Sequence, residues 1–344
     1  MNTLPPIELL NLQKTQDDTA ITFNPTKFDE YLGQREIKEK LKVYTQASKL
    51  REEPLDHLLL FGPPGLGKTT LAKVVAEELG VNIKTTSAPV LERTGDLVAI
   101  LSSIENREIL FIDEIHRLPK PVEEILYSAM ENFCVDMIVG QGAGAKSIRL
   151  PLNPFTLIGA TTRTALLSGP LQTRFGIVER LDFYEPQELA DIVSQDSKFL
   201  KTTITPEASL SIGQRARGTP RIVKRIFRRV RDFAQVNKYS IINEEIVEQA
   251  MKFLNIDNDG LTKLDRKILS HIMKDFDGGP VGVETLAAMT GEDKETLEDF
   301  CEPFLIRQGF IQKTPRGRII PPKKLLSLRR RILGEKVELQ DSLF

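Results

Sequence analysis

The chain has 344 residues and a formal net charge of −1, and 40% of its residues are hydrophobic and 28% charged. This composition is ordinary for a globular protein and leaves room for two or three domains. No apolar run approaches the length of a membrane span, and no signal peptide is recognised. The two cysteines and three histidines suit neither a disulfide framework nor a zinc site. We therefore expect a cytoplasmic protein without a membrane partner.

A phosphate-binding loop follows the first predicted strand. After a weakly patterned arm over residues 1–20, the apolar run Leu58–Phe61 predicts a strand, residues 62–69 spell G-x-x-x-x-G-K-T, and a helical apolar pattern follows. Glycines let such a loop aim its N–H groups at phosphate oxygens, beside the positive end of a helix. Lys68 can reach the β and γ phosphates and the Thr69 hydroxyl can ligate Mg²⁺. The motif therefore predicts a nucleotide site.

Short apolar strands alternate with amphipathic helices from about Phe28 to Tyr184, which predicts a parallel sheet with helices on both faces. The predicted strands are Leu58–Phe61, Val81–Thr85, Ile109–Ile112, Thr156–Ala160 and Ile177–Leu181. Residues 135–152 differ, because two strand-like runs flank the glycine-rich segment 140–144. They predict a hairpin with a glycine-rich tip.

Polar residues follow two of these strands. Asp113 and Glu114 end the third predicted strand, at the edge of an open α/β sheet that borders the ligand crevice. Asp113 can hold Mg²⁺ through water, and Glu114 can orient and deprotonate the attacking water. Thr161 and Thr162 end the next strand, and either hydroxyl can bond that water or the γ-phosphate. The pattern predicts hydrolysis as well as binding.

Arg174, in Thr-Arg-Phe-Gly, permits two interpretations. It can be an arginine finger, which contacts the nucleotide bound by a neighbouring subunit and stabilises the charge on the transferring phosphoryl group. A surface salt bridge explains the residue equally well.

From Pro186 to about Asn255 the pattern is helical, and residues 208–231 hold eight Lys or Arg and no acid. A basic stripe lies opposite an apolar one on one predicted helix, and we interpret it as a solvated face except at Arg221. Its members are Arg221, Lys224, Arg225, Arg228 and Arg229.

The last region, from Leu261, predicts three helices and two short strands, Phe310–Lys313 and Arg318–Ile320, which is a winged-helix arrangement. Residues 303–334 hold nine Lys or Arg and no acid. Such a basic wing suits contact with DNA phosphates whatever the base sequence, although a protein-docking wing is the alternative. The tail from Pro321 is expected to be partly disordered.

Six motifs in order resemble the AAA+ ATPases, and within that family they are similar to the bacterial motors that drive branch migration of Holliday junctions. The motifs are residues 62–70, 110–117, 156–163, 174–178, 218–221 and 314–318. The resemblance runs from about Phe28 to Ile320. It implies an α/β AAA+ core with a parallel sheet and flanking helices, then a small all-α lid domain and a winged-helix head, over residues 1–184, 185–256 and 257–344.

The resemblance also assigns roles to residues. The implied catalytic residues are Lys68, Asp113, Glu114, Thr162 and Arg174. Thr162 has the position of sensor 1 in this family, and the neighbouring Thr161 remains an alternative for that role. The implied ATP-binding residues are Phe23, Asn24, Gly65, Gly67, Lys68, Thr69, Thr70, Glu131, Asn132, Phe133, Arg174, Tyr184 and Arg221, the last as sensor 2. Thr69 and Asp113 are the implied Mg²⁺ ligands, and Lys294, Lys313, Arg316 and Arg318 the implied DNA contacts. The family usually has Arg where this chain has Asn24, and more often Arg at Lys294 and Lys313.

The partners implied by the resemblance are duplex DNA at four-way junctions, the junction-binding protein RuvA docked on the 135–152 hairpin, and the resolvase RuvC in a larger complex. ATP and Mg²⁺ are the implied cofactors, a homo-hexamer the implied assembly, and recombination and DNA repair the implied processes. An ATP-driven motor that pulls duplex DNA through a ring is the expected function.

Two other functional classes remain as alternatives. A protein-remodelling ATPase usually carries an aromatic pore loop after the second strand, and residues 87–93 contain no aromatic residue. A nucleotide-dependent DNA-binding switch, such as a clamp loader or an initiator, would share the ATPase core and could share the winged helix. Stimulation of hydrolysis by duplex DNA would separate a motor from a switch.

Overall fold

The computed structural model describes residues 22–139 and 146–334, which divide into two compact units. The first unit contains Thr22–Glu188 together with Thr219–Arg221, and the second contains Leu189–Gly218 and residues 222–334. The predicted arm over residues 1–20 and the hairpin tip over residues 140–144 lie outside the described residues. No helix in the described part of the chain is long and apolar enough to cross a membrane.

The first unit is built on a five-stranded parallel sheet, in which the strands lie side by side in the order Ile83–Ser87, Ile109–Asp113, Thr156–Thr161, Leu58–Phe61 and Ile177–Arg180. Its strands and the hairpin strands are β1 (Leu58–Phe61), β2 (Ile83–Ser87), β3 (Ile109–Asp113), β4 (Cys134–Val139), β5 (Lys146–Pro151), β6 (Thr156–Thr161) and β7 (Ile177–Arg180). All of β6 and nearly all of β3 are buried, as expected for central strands covered on both faces. The predicted parallel sheet is confirmed.

Helices flank this sheet and their ends follow local chemistry. They are α1 (Arg35–Arg51), α2 (Lys68–Leu79), α3 (Thr94–Ser102), α4 (Lys120–Asn132) and α5 (Gly169–Gln172). Helix α2 ends at Gly80, which takes a φ of 71°, and the Val81 N–H returns to the Ala76 carbonyl. Val81 is therefore part of the helix cap, and for that reason β2 begins two residues later than we predicted.

The predicted hairpin is confirmed in its two strands. Antiparallel pairing joins β4 to β5 from Cys134 opposite Pro151 to Val139 opposite Lys146. Asp136 and Arg149 face each other across the strands, with Arg149 Nε 2.8 Å from Asp136 Oδ1. This cross-strand pair favours the observed register of the hairpin near its base.

The second unit begins with helices and a small ladder. The helices are α6 (Pro186–Phe199), which starts in the first unit, α7 (Pro206–Arg215), α8 (Pro220–Val236) and α9 (Glu244–Phe253). Between them, β8 (Thr203–Ile204) pairs in parallel with β9 (Ile241–Ile242). The region predicted as all-α is thus helical apart from this two-residue ladder.

The basic stripe on α8 is not a solvated face, and that prediction is wrong. Arg225 is 1% exposed and Arg228 5%. Lys224 Nζ lies 3.2 Å from Oδ1 of the buried Asp196, which provides a counter-charge inside the unit. A guanidinium can be buried when hydrogen-bond acceptors replace its lost hydration. The aliphatic part of the arginine side chain then adds apolar contact area.

The rest of the second unit has the predicted winged-helix elements. They are α10 (Lys263–Asp275), α11 (Val283–Thr290), α12 (Lys294–Thr296), a π-helical turn (Leu297–Cys301), α13 (Glu302–Arg307), β10 (Gln312–Thr314), β11 (Gly317–Ile319) and α14 (Pro322–Leu328). A hydrophobic cluster that includes Leu269, Ile272, Leu305 and Ile311 forms their core. Each wing strand differs from its prediction by one or two residues. Both strands extend one residue further towards the turn than predicted, because Gly317 pairs with Thr314 and confines the turn to two residues.

Candidate functional site

The phosphate-binding loop joins β1 to α2, as the motif predicts. Gly67 takes a φ of 97°, and a Cβ there would lie 2.7 Å from the Tyr31 hydroxyl, so only glycine fits this position without strain. Lys68 opens α2, and its Nζ donates to the carbonyls of Gly62 at 2.8 Å and Pro63 at 3.0 Å. The ammonium group is therefore held inside the loop.

Lys68 lies among the other charges predicted for the site. Its side chain is almost fully buried, and this burial lowers its pKa to about 8, against the opposing effect of the Glu114 and Asp113 carboxylates. The Arg221 guanidinium is close enough to lower the same pKa further. The structure thus brings four predicted residues together around one loop.

Glu114 is held in a special conformation by its surroundings. Its backbone is left-handed, with a φ of 51°, which is uncommon outside glycine and is often found at functional sites. Its Oε2 accepts a hydrogen bond from the Thr162 hydroxyl at 3.2 Å and lies 3.2 Å from His116 Nδ1. These two side chains fix the direction of the carboxylate.

The two threonines at the end of β6 have different surroundings. Thr161 is buried, its hydroxyl lies 2.9 Å from His116 Nδ1, and it accepts the Arg163 N–H at 3.0 Å. Burial lowers the pKa of His116 despite the nearby Glu114 carboxylate, so the ring is neutral at pH 7. Thr162, not Thr161, contacts the carboxylate predicted to activate water.

Two buried tyrosines, Tyr31 and Tyr184, contact the phosphate-binding loop. The Tyr184 hydroxyl lies 3.3 Å from the Leu66 carbonyl oxygen and 3.2 Å from the Tyr31 hydroxyl, and its single proton can be donated to either of them. Burial raises the pKa of both phenols, that of Tyr31 to about 12, so both stay protonated. The Arg221 N–H donates to the Gly65 carbonyl at 3.3 Å. Arg221, which belongs to the first unit, is therefore attached to the loop through its backbone.

Arg174 lies beside α5 with three contacts. Nη1 donates to the Pro170 carbonyl at 2.6 Å, and Nη2 lies 2.9 Å from Glu131 Oε1. The guanidinium carbon lies 4.5 Å from the centre of the Tyr127 ring, within the range of a cation–π contact. The two interpretations of Arg174 are thus not exclusive, since the residue makes an ion pair while its side chain stays 20% exposed.

Other predicted nucleotide contacts are more dispersed. Asn24 is exposed and its amide donates to the Thr22 carbonyl at 3.4 Å. Asn132 is also exposed, whereas Phe133 packs edge-on against Phe155 with ring centres 6.0 Å apart. Phe133 therefore makes a core contact. Thr69 and Thr70 lie in the first turn of α2, and Phe23 precedes Asn24 at a half-buried position.

The residues predicted to hold Mg²⁺ have suitable chemistry. Thr69 offers a hydroxyl and Asp113 a carboxylate, and hard oxygen donors are the ligands that Mg²⁺ prefers. Asp113 Oδ1 accepts the Glu114 N–H at 3.0 Å, which orients the carboxylate at the end of β3. Within the described residues, no group of three His, Cys, Asp or Glu side chains could hold a metal ion.

The four basic residues predicted to contact DNA fall into two classes. Lys294 and Lys313 are exposed and lie 3.2 Å from Glu284 and 3.8 Å from Glu298, and Arg316 is exposed at the wing tip. Arg318 is different. Its side chain is 7% exposed.

The Arg318 guanidinium is already occupied by two acids. Nε lies 2.5 Å from Glu302 Oε1, and Nη2 lies 3.0 Å from both Glu302 Oε2 and Glu298 Oε1. The expectation that Arg318 is a surface cation on the wing is therefore corrected. Alternation along β11 turns its side chain towards the helices, where Glu302 is buried and needs a counter-charge.

Sequence reasoning missed three side chains that contact the site: Tyr31 at the loop, His116 at Glu114 and Tyr127 at Arg174. His116 carried a weak signal, since it lies two residues after Glu114. Tyr31 and Tyr127 carried none, because their contacts come from residues far away in the chain.

Comparisons with known proteins cover almost all of the described residues. Family models match the Holliday junction DNA helicase RuvB P-loop domain over residues 23–181, the RuvB AAA lid domain over 184–257 and the RuvB C-terminal winged helix domain over 258–329. The solved structure of the Thermotoga maritima RuvB Holliday junction branch migration motor is 47% identical, with a TM-score of 0.78, covering 92% of this chain and 99% of that chain. A point mutant of the same protein matches at 47% identity with a TM-score of 0.80, covering 92% and 100%.

Proposed function

This chain belongs to the RuvB family, and from that premise we propose that it is an ATP-driven motor that moves the branch point of Holliday junctions during recombination and repair. The reaction is ATP hydrolysis, and the work is the pulling of duplex DNA. The observation that carries the proposal is the convergence of Lys68, Asp113, Glu114 and Arg221 around one phosphate-binding loop. A chain with this site also carries a winged helix with exposed cations.

The proposed roles within the nucleotide site follow from charge and reach. Lys68 and the loop N–H groups hold the phosphates, while Thr69 and Asp113 hold Mg²⁺. Glu114 deprotonates the attacking water, and its bond from Thr162 supports the proposal that Thr162 is sensor 1. Arg221 acts as sensor 2. The proposed remaining contacts of ATP are Phe23, Asn24, Gly65, Gly67, Thr70, Glu131, Asn132, Phe133 and Tyr184.

The proposed assembly is a homo-hexamer in which Arg174 completes the site of the next subunit. The partial exposure of Arg174 supports this role, because an arginine finger must reach outward. A mixing experiment tests it. Arg174→Ala and Lys68→Ala subunits, each inactive alone, should regain part of the hydrolysis rate when mixed, since each supplies what the other lacks. A mixture as inactive as its components would contradict the shared site.

The proposed DNA surface consists of Lys294, Lys313 and Arg316, with Arg318 supporting the wing from beneath. Cations on an exposed wing can follow the phosphate backbone without reading bases, which suits a motor that moves along any sequence. The proposed partners are RuvA, docked on the hairpin over residues 135–152, and RuvC in a larger complex. We further propose a cytoplasmic location and domain boundaries near residues 184 and 256.

Branch migration of a synthetic four-way junction tests the whole proposal. We expect ATP-dependent conversion in the presence of the junction-binding partner, faster hydrolysis with duplex DNA, and loss of both in Lys68→Ala. A nucleotide-dependent switch, such as a clamp loader or initiator, would bind DNA in response to ATP without moving the branch point. Hydrolysis that ignores DNA even with the partner present would favour that alternative.

A further inference from the structure

Arg174 is held by one face of helix α4. Tyr127 and Glu131 are four residues apart on this helix, so their side chains lie side by side. The ring of Tyr127 supports the flat face of the guanidinium, and Glu131 contacts its edge at 2.9 Å. Both contacts come from the same rigid element.

The Tyr127 ring is itself fixed. Its hydroxyl donates to Glu123 Oε1 at 2.8 Å and lies 2.9 Å from the Ser168 hydroxyl. Ser168 also caps α5 by accepting the Leu171 N–H, and α5 leads directly to Arg174. One hydrogen-bond network therefore holds both the ring and the segment that carries the arginine.

The contact with Glu131 can be exchanged more easily than the contact with the ring. Glu131 is 53% exposed, and ion pairs open to solvent contribute little. A carboxylate on the guanidinium would also oppose charge stabilisation on a transferring phosphoryl group. A neighbour's phosphate can therefore replace the carboxylate, while a ring beneath the guanidinium can stay in place as its N–H groups turn outward.

We propose that Tyr127 is a positioning residue for Arg174, a platform that orients the guanidinium before it meets the nucleotide of the next subunit. The inference rests on the proposed role of Arg174 as an arginine finger. Groups oriented in advance lower the barrier because no reorganisation is needed in the transition state. Tyr127 would thus affect hydrolysis at the next subunit's site without contacting the nucleotide itself.

Turnover of the full chain with duplex DNA and the junction-binding partner tests this role. Tyr127→Leu should lower kcat about tenfold, the order of a partly desolvated cation–π contact, with little change in KM for ATP. Tyr127→Phe should keep most of the rate because the ring remains. Tyr127→Met replaces the leucine variant if that variant does not fold. An unchanged kcat in whichever of these two ring-free variants folds would overturn the proposal.

Mixed rings separate positioning from a general structural defect. Lys68→Ala subunits keep Tyr127 and Arg174, so mixing them with Tyr127→Leu subunits should raise the hydrolysis rate per Tyr127→Leu subunit. A defect confined to the mutated subunit would not respond to mixing, and that result would overturn the proposal. If Arg174→Ala is rescued in this way and Tyr127→Leu is not, only the inference about Tyr127 fails. If neither is rescued, the finger role of Arg174 fails first.

Discussion

Replacing Arg318 by alanine should loosen the wing itself, beyond any loss of DNA contact. The Arg318 and Glu302 side chains are 7% and 8% exposed, and two guanidinium nitrogens contact both oxygens of this carboxylate. The Glu302 carboxylate raises the pKa of Arg318 through its hydrogen bonds, so the guanidinium stays charged at any working pH. Alanine would leave the Glu302 carboxylate buried without its main counter-charge.

The expected cost follows from that burial. Removing one partner of a buried ion pair destabilises by about 3–5 kcal/mol, because the remaining charge stays in a poorly solvated place. The effect should be local, since the backbone of Arg318 pairs with Val281 and Lys313 at the base of the wing. Arg318→Lys keeps the charge but loses the two-pronged contact, and should fall between alanine and wild type.

Hydrogen exchange of the full chain measures this local stability. The Val281 N–H donates to the Arg318 carbonyl at 3.0 Å, and the Arg318 N–H to the Val281 carbonyl at 2.8 Å, so both amides report on the wing. In Arg318→Ala the free energy of opening at these two amides should fall by about 3–5 kcal/mol. If the wing is stabilised by less than this amount in the wild type, the two amides should lose their protection altogether.

The exposed Arg316 provides the matched control. Arg316→Ala should leave the two amides as protected as in wild type, while the slope of log K against log salt for duplex binding falls by about 0.9 for one lost phosphate contact. Protection that survives in Arg318→Ala, together with the same decrease in salt slope, would show that Arg318 is an ordinary phosphate contact and would refute the reasoning.

Two other outcomes are expected at the nucleotide site. Because Lys68 has a pKa of about 8 and bound phosphates would raise it, ATP binding at pH 8.5 should take up a proton and binding at pH 6.5 should not. Calorimetry in two buffers of different ionisation enthalpy measures this uptake, which Lys68→Arg should abolish; equal uptake at both pH values would contradict the assignment. Glu114→Gln should keep ATP binding while lowering turnover by about 10²–10⁴-fold, the range of general-base catalysis, and normal turnover would exclude Glu114 as the base.

Continuous patterns made the centre of the first unit predictable. The strand Leu58–Phe61 was found at its predicted residues, because a strand that is buried at all but its last residue has an uninterrupted apolar sequence. The edge strand Ile83–Ser87 was harder to locate. Its residues are mostly half-buried, so its sequence alternates little and gives no sharp start.

Buried charges were the main failure of sequence reasoning. Arg225 and Arg318 look like surface residues, and only the fold shows that each is buried among partners. Periodicity identifies which face of a helix is apolar, but it does not show whether a second element carrying acids covers the other face. The same limit hid Tyr127, whose partner Arg174 is 47 residues away in the chain.

Helix α4 gives the proposed ring a direction. It begins six residues after Glu114 and ends beneath Arg174, so one end lies near the carboxylate proposed to activate water in the same subunit and the other near the arginine proposed for the neighbour. The direction of the chain determines which end of the helix lies near Glu114 and which lies near Arg174. Around a closed hexamer every copy would point the same way, so each helix would connect the Glu114 of its own subunit to the arginine proposed for one particular neighbour. The sense of that connection around the ring would be set by the polarity of a single 13-residue helix.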